Sequence, residues 1–212
     1  MKAAIFDMDG LLVDSETLYV DAFKEVCEIM GDVYTDELFK SCIGTNKKTQ
    51  AEILKSHFGD DYDCEYSYDL THQIMDRYFK EGRLELKEGA IEILEFFKSK
   101  GYKMAVASSN SIDKILYSLK ITGITHYFDE LVSGDMVDHG KPAPDIFLLA
   151  AEKLGTTPAE SYVFEDSYNG IRAAHAGGFY TIMVPDLLAP NDEMREKSTE
   201  IIESLLNFCK LA

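Results

Sequence analysis

The chain has few cysteines and no long hydrophobic run. Its four cysteines (Cys27, Cys42, Cys64 and Cys209) are far apart, and neither they nor the five histidines show the paired spacing of a metal site. This argues against a disulfide framework or a zinc site and favours a reducing compartment. The apolar run before Asp7 is too short for a signal peptide or a membrane span. We therefore expect a soluble, cytoplasmic protein, and we expect it to be a monomer.

Positive charge is also scarce, since 21 Lys and Arg face 38 Asp and Glu, for a formal net charge of −17. Such a surface argues against nucleic acid or an anionic membrane as a partner. It would also repel phosphate esters, so a phosphate site would need local positive charge from Lys, Arg, backbone N–H groups or a metal. No G-x-G-x-x-G motif follows the first apolar run, which argues against a dinucleotide-binding oxidoreductase.

Hydrophobic residues make up 46% of the chain, enough for a substantial core. Short apolar runs predict buried strands, and in the second half they alternate with helical patterns. Pro144 and Gly155 bound one of these helices, and Asn110 and Ser111 are candidate caps for another. The fold class predicted is α/β, a Rossmann-like, doubly wound parallel sheet. The predicted strands are Ala3–Phe6, Met104–Ala107, Glu130–Val132, Tyr162–Phe164 and Tyr180–Val184.

The stretch from residue 15 to residue 87 breaks this alternation. Apolar residues recur there at helical spacing, in segments that end at Gly31 and Gly59, and a further helix is predicted over Tyr66–Phe79. No strand pattern of comparable strength intervenes. We therefore predict an all-helical domain (residues 15–87) inserted into a core formed by residues 1–14 and 88–212.

Polar residues follow the apolar runs where the carboxyl ends of the strands should lie. In an open parallel sheet this edge binds ligands. Singly, each of these residues could be a helix cap or part of a turn. Together, four carboxylates would repel one another unless a hard cation neutralised them, and oxygen ligands favour Mg²⁺. The residues that follow apolar runs are Asp7, Asp9, Ser108, Ser109, Asn110, Glu165 and Asp166, and Lys141 lies in the loop Gly140–Pro144.

Several segments resemble the motifs of the haloacid dehalogenase-like hydrolase superfamily. Ile5–Glu16 is similar to the first motif, Ser108 and Lys141 to the second and third, and Val163–Ala174 to the fourth. The match runs over essentially the whole chain. The helical insertion resembles the cap domain of the subgroup that contains β-phosphoglucomutase and many sugar- and nucleotide-phosphate phosphatases.

The resemblance implies a role for each of these residues. Asp7 would be the nucleophile that forms an aspartyl-phosphate, and Asp9 the general acid and base. Mg²⁺ would be held by Asp7, the Asp9 backbone carbonyl and Asp166, with Glu165 as a further or water-mediated ligand. Phosphate would be bound by Ser108, Ser109 and Lys141. Relatives that cleave carbon–halogen or carbon–phosphorus bonds lack an acid at the position of Asp9, so the expected substrate is a small phosphorylated metabolite with an alcohol leaving group.

The resemblance leaves the fate of the phosphoryl group open between water and a second sugar hydroxyl. The mutase uses a His and an Arg of its cap, and this chain has Tyr19 and Lys47 at those positions. Lys lacks the bidentate fork of Arg, so we expect a phosphatase, with a β-phosphoglucomutase-type mutase as the alternative. Tyr19, Asn46 and Lys47 are candidate specificity residues. The first motif also resembles pseudouridine-5′-phosphatases, and a non-enzymatic relic is disfavoured because every acid, the Ser and the Lys are present.

Overall fold

The computed structural model describes residues 1–43, 45 and 47–211. Their backbone contacts form two compact units. One unit comprises Met1–Asp14 and Glu85–Ala212 and is called the sheet unit here. The other, Ser15–Leu84, is called the helical unit. Residues 85–87 group with the sheet unit because they pair with residues 12–14: Asp14 N–H donates to Glu85 O, and Lys87 N–H donates to Leu12 O.

Within its described residues, the helical unit contains helices and no strand. Helix α1 ends just before Gly31, whose φ of 77° suits a residue without a side chain. Helix α2, which the sequence pattern did not predict, is capped by Thr35, whose hydroxyl accepts from Leu38 N–H. Asp63 caps α4 in the same way through Tyr66 N–H. The helices are α1 (Ser15–Met30), α2 (Asp36–Cys42), α3 (Lys47–Phe58) and α4 (Cys64–Lys80).

The described part of the sheet unit forms a six-stranded sheet in which every neighbouring pair is parallel, in the order β3-β2-β1-β4-β5-β6. The short edge strand β6 was not predicted, because two residues are too few to produce an apolar run. The strands are β1 (Ala3–Phe6), β2 (Lys103–Ser108), β3 (Glu130–Ser133), β4 (Ser161–Glu165), β5 (Tyr180–Met183) and β6 (Glu200–Ile201).

Helices cover both faces of this sheet. On one face Ile5, Ala105 and Val163 pack with Phe147 and Ala150. On the other, Phe6 and Phe164 stack on each other, with the rings of Phe97 and Phe208 beside them. The helices of this unit are α5 (Ala90–Ser99), α6 (Ile112–Ile121), α7 (Asp145–Leu154), α8 (Tyr168–Ala176), α9 (Asp192–Lys197) and α10 (Leu205–Leu211), with short 3₁₀ turns at Thr125–Tyr127, Gly134–Met136 and Pro158–Glu160.

The predicted fold class, a doubly wound parallel sheet with an all-helical insertion, is confirmed. The predicted strand ends are one residue short in two places that matter for the site. Ser108 and Glu165 are the last residues of β2 and β4, because Ser108 pairs with Ser133 and Glu165 with Met183. None of the described helices has the length and apolar character that crossing a bilayer requires.

Candidate active site

The site begins where β1 ends, at Asp7. Asp7 N–H donates to the Phe164 carbonyl of the neighbouring strand at 3.0 Å, so the sheet ladder fixes the backbone up to this residue. The chain then turns sharply at Gly10, whose φ is +72°. Leu12 N–H and Val13 N–H both donate to the Met8 carbonyl and close the turn. Asp7 and Asp9 are therefore held on a rigid strand end.

Lys141 joins two of the predicted acids. Its ammonium group lies 2.5 Å from Asp7 Oδ1 and 2.8 Å from Glu165 Oε1, and it donates to the Ala107 carbonyl at 3.2 Å. The side chain is 7% exposed and lies over the Phe147 ring. Burial acts to lower the pKa of Lys141, but Asp7 and Glu165 outweigh it and raise that pKa above its usual value. Lys141 is therefore a permanent positive charge beside Asp7.

The pKa of Asp7 is also raised, but for a carboxyl group this favours the uncharged form. Burial raises the pKa of Asp7 to about 7, against the lowering effect of Lys141, and the charges of Glu165 and Asp9 add to the rise. In the protein alone, the Asp7 carboxylate thus competes with a proton near neutral pH. Further positive charge at this point would favour the ionised form of Asp7.

The residues around Asp7 fit a hard cation. Oxygen atoms of Asp7, Glu165 and Asp166 lie within 4.8 Å of one another. Such a group of carboxylates suits a divalent cation that prefers oxygen ligands. Two glycines leave room for these side chains. A Cβ on Gly170 would lie 1.7 Å from Glu165 Oε1, and a Cβ on Gly10 would lie 2.5 Å from Asp166 Oδ2. The three predicted carboxylate ligands are therefore brought together, and their role as ligands stays a prediction.

Asp9 is held by Asn110, which the sequence offers both as a candidate helix cap and as a strand-end residue. The Asn110 amide donates a short hydrogen bond to Asp9 Oδ2 and another, at 3.2 Å, to Ser108 Oγ. Asn110 N–H donates to the same hydroxyl oxygen. Ser111 occupies the cap position of α6 without a side-chain hydrogen bond. Of the two candidate caps, Ser111 is therefore at the predicted position, and Asn110 is not a cap because its side chain is directed to Asp9 instead.

Of the three predicted phosphate-binding residues, two are buried within the group around Asp7 and one is exposed. Ser108 is 1% exposed and linked through Asn110 to Asp9, while Lys141 is paired with Asp7. Ser109 is exposed, and among the described residues no hydrogen bond joins its hydroxyl to this group. Its carbonyl oxygen lies against Gly134, where a Cβ would approach to 2.5 Å. The structure therefore does not bring the Ser109 hydroxyl to this group, and its role in phosphate binding stays a prediction.

The candidate specificity residues lie in the helical unit. Tyr19 hydrogen-bonds to Gln50, and burial raises the pKa of its hydroxyl. Tyr19 lines a cavity of about 230 Å³, together with Glu16, Phe39, Cys42, Ile43, Thr45 and Gln50. Lys47 instead pairs with Glu65 at 3.0 Å and lies over the Tyr68 ring. The structure therefore does not bring Lys47 to the lining of this cavity, and Asn46 lies outside the described residues.

Comparison with known proteins identifies the family. Residues 4–184 match the haloacid dehalogenase-like hydrolase family. The matched range includes the turn after β1, Lys141 and the Glu165–Asp166 pair. The chain belongs to the haloacid dehalogenase-like hydrolases. The resemblance of its motifs to this superfamily is confirmed.

Two relatives within the haloacid dehalogenase-like hydrolases are named as sugar-phosphate phosphatases. The chain is 38% identical over 182 residues to a phosphorylated carbohydrates phosphatase of Thermotoga maritima, an alignment that covers 86% of this chain and 84% of the relative. It is 32% identical over 189 residues to the fructose-1-phosphate phosphatase YqaB of Escherichia coli, with 85% and 94% covered. These similarities support the predicted enzyme class.

Solved structures of the same haloacid dehalogenase-like fold agree with the architecture. One from Thermotoga maritima, described as a candidate β-phosphoglucomutase, superposes with a TM-score of 0.84 at 35% identity and covers 100% of both chains. CbbY from Rhodobacter sphaeroides, in complex with phosphate, gives a TM-score of 0.79 at 26% identity, with 98% of this chain and 96% of CbbY covered.

Proposed function

We propose that this haloacid dehalogenase-like hydrolase is a magnesium-dependent phosphatase that hydrolyses a phosphate monoester of a small metabolite, a sugar or nucleotide phosphate. The observation that carries the proposal is the pairing of Asp7 with Lys141 at a buried strand end. Glu165 and Asp166 lie beside this pair, and Asp9 is held nearby by Asn110. The named sugar-phosphate phosphatases among the relatives support the choice of substrate class.

Asp7 and Asp9 divide the chemistry between them. An Asp7 oxygen bonds to phosphorus while the bond from phosphorus to the alcohol oxygen breaks, and Asp9 gives its proton to that oxygen. Asp9 then takes a proton from water as the water oxygen attacks phosphorus, and the bond to Asp7 breaks to release phosphate. A general acid and base at this position contributes roughly 10²–10⁴-fold in rate. The Asn110 amide holds Asp9 Oδ2 and so orients its carboxyl group.

The remaining residues bind and orient charge. Lys141 holds Asp7 and offsets the negative charge that moves between the substrate and Asp7. The candidate ligands of Mg²⁺ are Asp7, Glu165, Asp166 and the Asp9 backbone carbonyl. When bound, Mg²⁺ supplies positive charge that keeps Asp7 ionised and polarises the phosphoryl oxygens. Ser108 and the backbone at Ser109 are candidate partners for the other phosphate oxygens.

Transfer of the phosphoryl group to a second sugar hydroxyl is the alternative fate of the aspartyl-phosphate. The similarity to the candidate β-phosphoglucomutase structure favours it. Tyr19 and Lys47, which replace the His and Arg that the mutase would use, count against it. Incubation with β-glucose 1-phosphate and a glucose 1,6-bisphosphate primer separates the two. We expect phosphate release to be faster than formation of glucose 6-phosphate, and the reverse would establish the mutase.

The phosphatase proposal is tested by phosphate release from a panel of phosphorylated metabolites, with Mg²⁺ and with EDTA. We expect activity on sugar or nucleotide monophosphates that EDTA abolishes and that Asp7→Asn removes. Asp129→Asn is the matched control, because Asp129 precedes β3 at the opposite edge of the sheet and accepts from Met104 N–H. Turnover that survives in Asp7→Asn would overturn the proposal.

A further inference from the structure

A second carboxylate lies beside Asp166, on a loop that the proposed mechanism does not use. A Cβ on Gly10 would lie 2.5 Å from Asp166 Oδ2 and 3.2 Å from Asp186 Oδ2. Both side chains therefore rest against the same face of the turn that follows Asp9. The loop that carries Asp186 follows β5 and is tied to the site, because Val184 N–H donates to the Glu165 carbonyl at 2.8 Å.

The two oxygens of Asp186 have different surroundings. Oδ1 accepts from the Lys87 ammonium group at 2.7 Å, and Lys87 also lies 3.8 Å from Asp14. Oδ2 is buried and has no hydrogen-bond partner among the described residues. Leaving a buried acceptor without a donor destabilises the folded protein. A group outside the protein chain would remove this destabilisation.

A purely structural ion pair does not account for this arrangement. The Asp186 side chain is only 14% exposed. Its free oxygen lies beside another acid, where repulsion between the two carboxylates adds to the cost of burial. A hydrated cation at Asp166 would relieve both problems, because water bound to a cation is a strong hydrogen-bond donor and the cation attracts both carboxylates. Magnesium usually keeps several waters when proteins bind it.

We propose that Asp186 is a positioning residue of the magnesium centre, held by Lys87 through Oδ1 and accepting, through Oδ2, a hydrogen bond from a water on the cation at Asp166. This inference rests on the magnesium site of the proposed function. Residues that contact metal-bound groups in this way typically contribute roughly 10–100-fold to metal affinity.

The test is calorimetric titration of Mg²⁺ into the full-length protein without substrate. Asp186→Asn keeps the size of the side chain and removes its charge. We expect it to weaken Mg²⁺ binding by roughly tenfold or more. Glu160→Gln is the matched control, since Glu160 forms a Lys–carboxylate pair with Lys2 at the opposite edge of the sheet, and it should bind Mg²⁺ like the wild type.

Two further measurements distinguish a loss of Mg²⁺ positioning by Asp186 from misfolding of the variant. The variants should unfold cooperatively in EDTA, and Asp186→Ser replaces Asp186→Asn if the latter does not fold. In the activity assay, the Mg²⁺ concentration for half-maximal rate should rise while the KM for substrate stays unchanged. Binding within about twofold of the wild type in a folded Asp186 variant, or an equal loss in Glu160→Gln, would overturn the inference.

The same titration distinguishes this inference from the proposed function. A wild-type protein that binds Mg²⁺ but hydrolyses no tested ester would overturn the phosphatase proposal alone, because Mg²⁺ binding is measured without substrate. A wild-type protein that binds no Mg²⁺ would overturn both.

Discussion

Gly170 makes room for Glu165, and replacing it by Ala tests that packing. Glu165 is 1% exposed and fixed at both oxygens, by Lys141 at 2.8 Å and by Ser167 N–H at 2.6 Å. A Cβ on Gly170 would lie 1.7 Å from one of these oxygens and 2.5 Å from the other. The carboxylate therefore cannot stay in place, and moving it weakens the buried pair with Lys141.

One favourable and two unfavourable contributions decide the stability of Gly170→Ala. Gly170 lies in α8, where Ala is intrinsically better than Gly by about 1 kcal/mol. Overpacking a buried site costs about 1–3 kcal/mol, and breaking a buried ion pair about 3–5 kcal/mol. We expect a net loss of about 2 kcal/mol or more. For a chain of this size that lowers Tm by roughly 4–8 °C or more.

The assay is thermal unfolding in EDTA, combined with the rate of phosphate release. Gly140→Ala is the control, because a Cβ there would meet no atom within 4 Å and the residue lies in the same loop as Lys141. We expect Gly170→Ala to lose both stability and activity, and Gly140→Ala to lose neither. A Gly170→Ala protein as stable as the wild type, or more so, with unchanged activity, would refute the steric reasoning.

Two further predictions concern the acids of the site. The pKa of Asp7 rises from 3.8 to about 7 on folding, so ionising Asp7 costs stability as pH rises through that window. Without metal, the wild type should lose stability relative to Asp7→Asn by on the order of 1 kcal/mol per pH unit, measured as Tm in EDTA. A pH-independent difference between the two would contradict the raised pKa. Asn110→Ala should lower kcat by roughly 10–100-fold with little change in KM, because Asp9 loses its orienting donor. Steady-state kinetics measure this, and unchanged kcat would show that Asn110 does not orient Asp9.

The strand-end acids could be predicted from sequence because their placement follows from a single rule. Parallel strands bring their carboxyl ends to one edge, so Asp7, Ser108 and Glu165 had to lie close together once the strands were located. The role of Lys141 needed the family resemblance, since the residue lies in a loop that no periodic pattern positions. Its contacts with Asp7 and Glu165 depend on how that loop folds back.

Other contacts were not predictable for identifiable reasons. Asn110 has two competing partners, a helix N-terminus and Asp9, and sequence alone does not tell which one it binds. Asp186 follows the apolar run of β5 at the same edge, so the strand-end rule would have found it had it been applied to that run. Its partner Lys87 lies far away in the chain, and only the fold brings the two together.

The most direct test of the account is to isolate the aspartyl-phosphate itself. Asp9→Asn should slow attack by water, whereas an aryl phosphate has a leaving group that needs no proton, so the intermediate should accumulate. After an acid quench, peptide mass spectrometry should find one phosphoryl group on Asp7, and hydroxylamine should remove it. Continued phosphate release with no phosphoryl group on the protein, or with the group on another residue, would contradict Asp7 as the nucleophile.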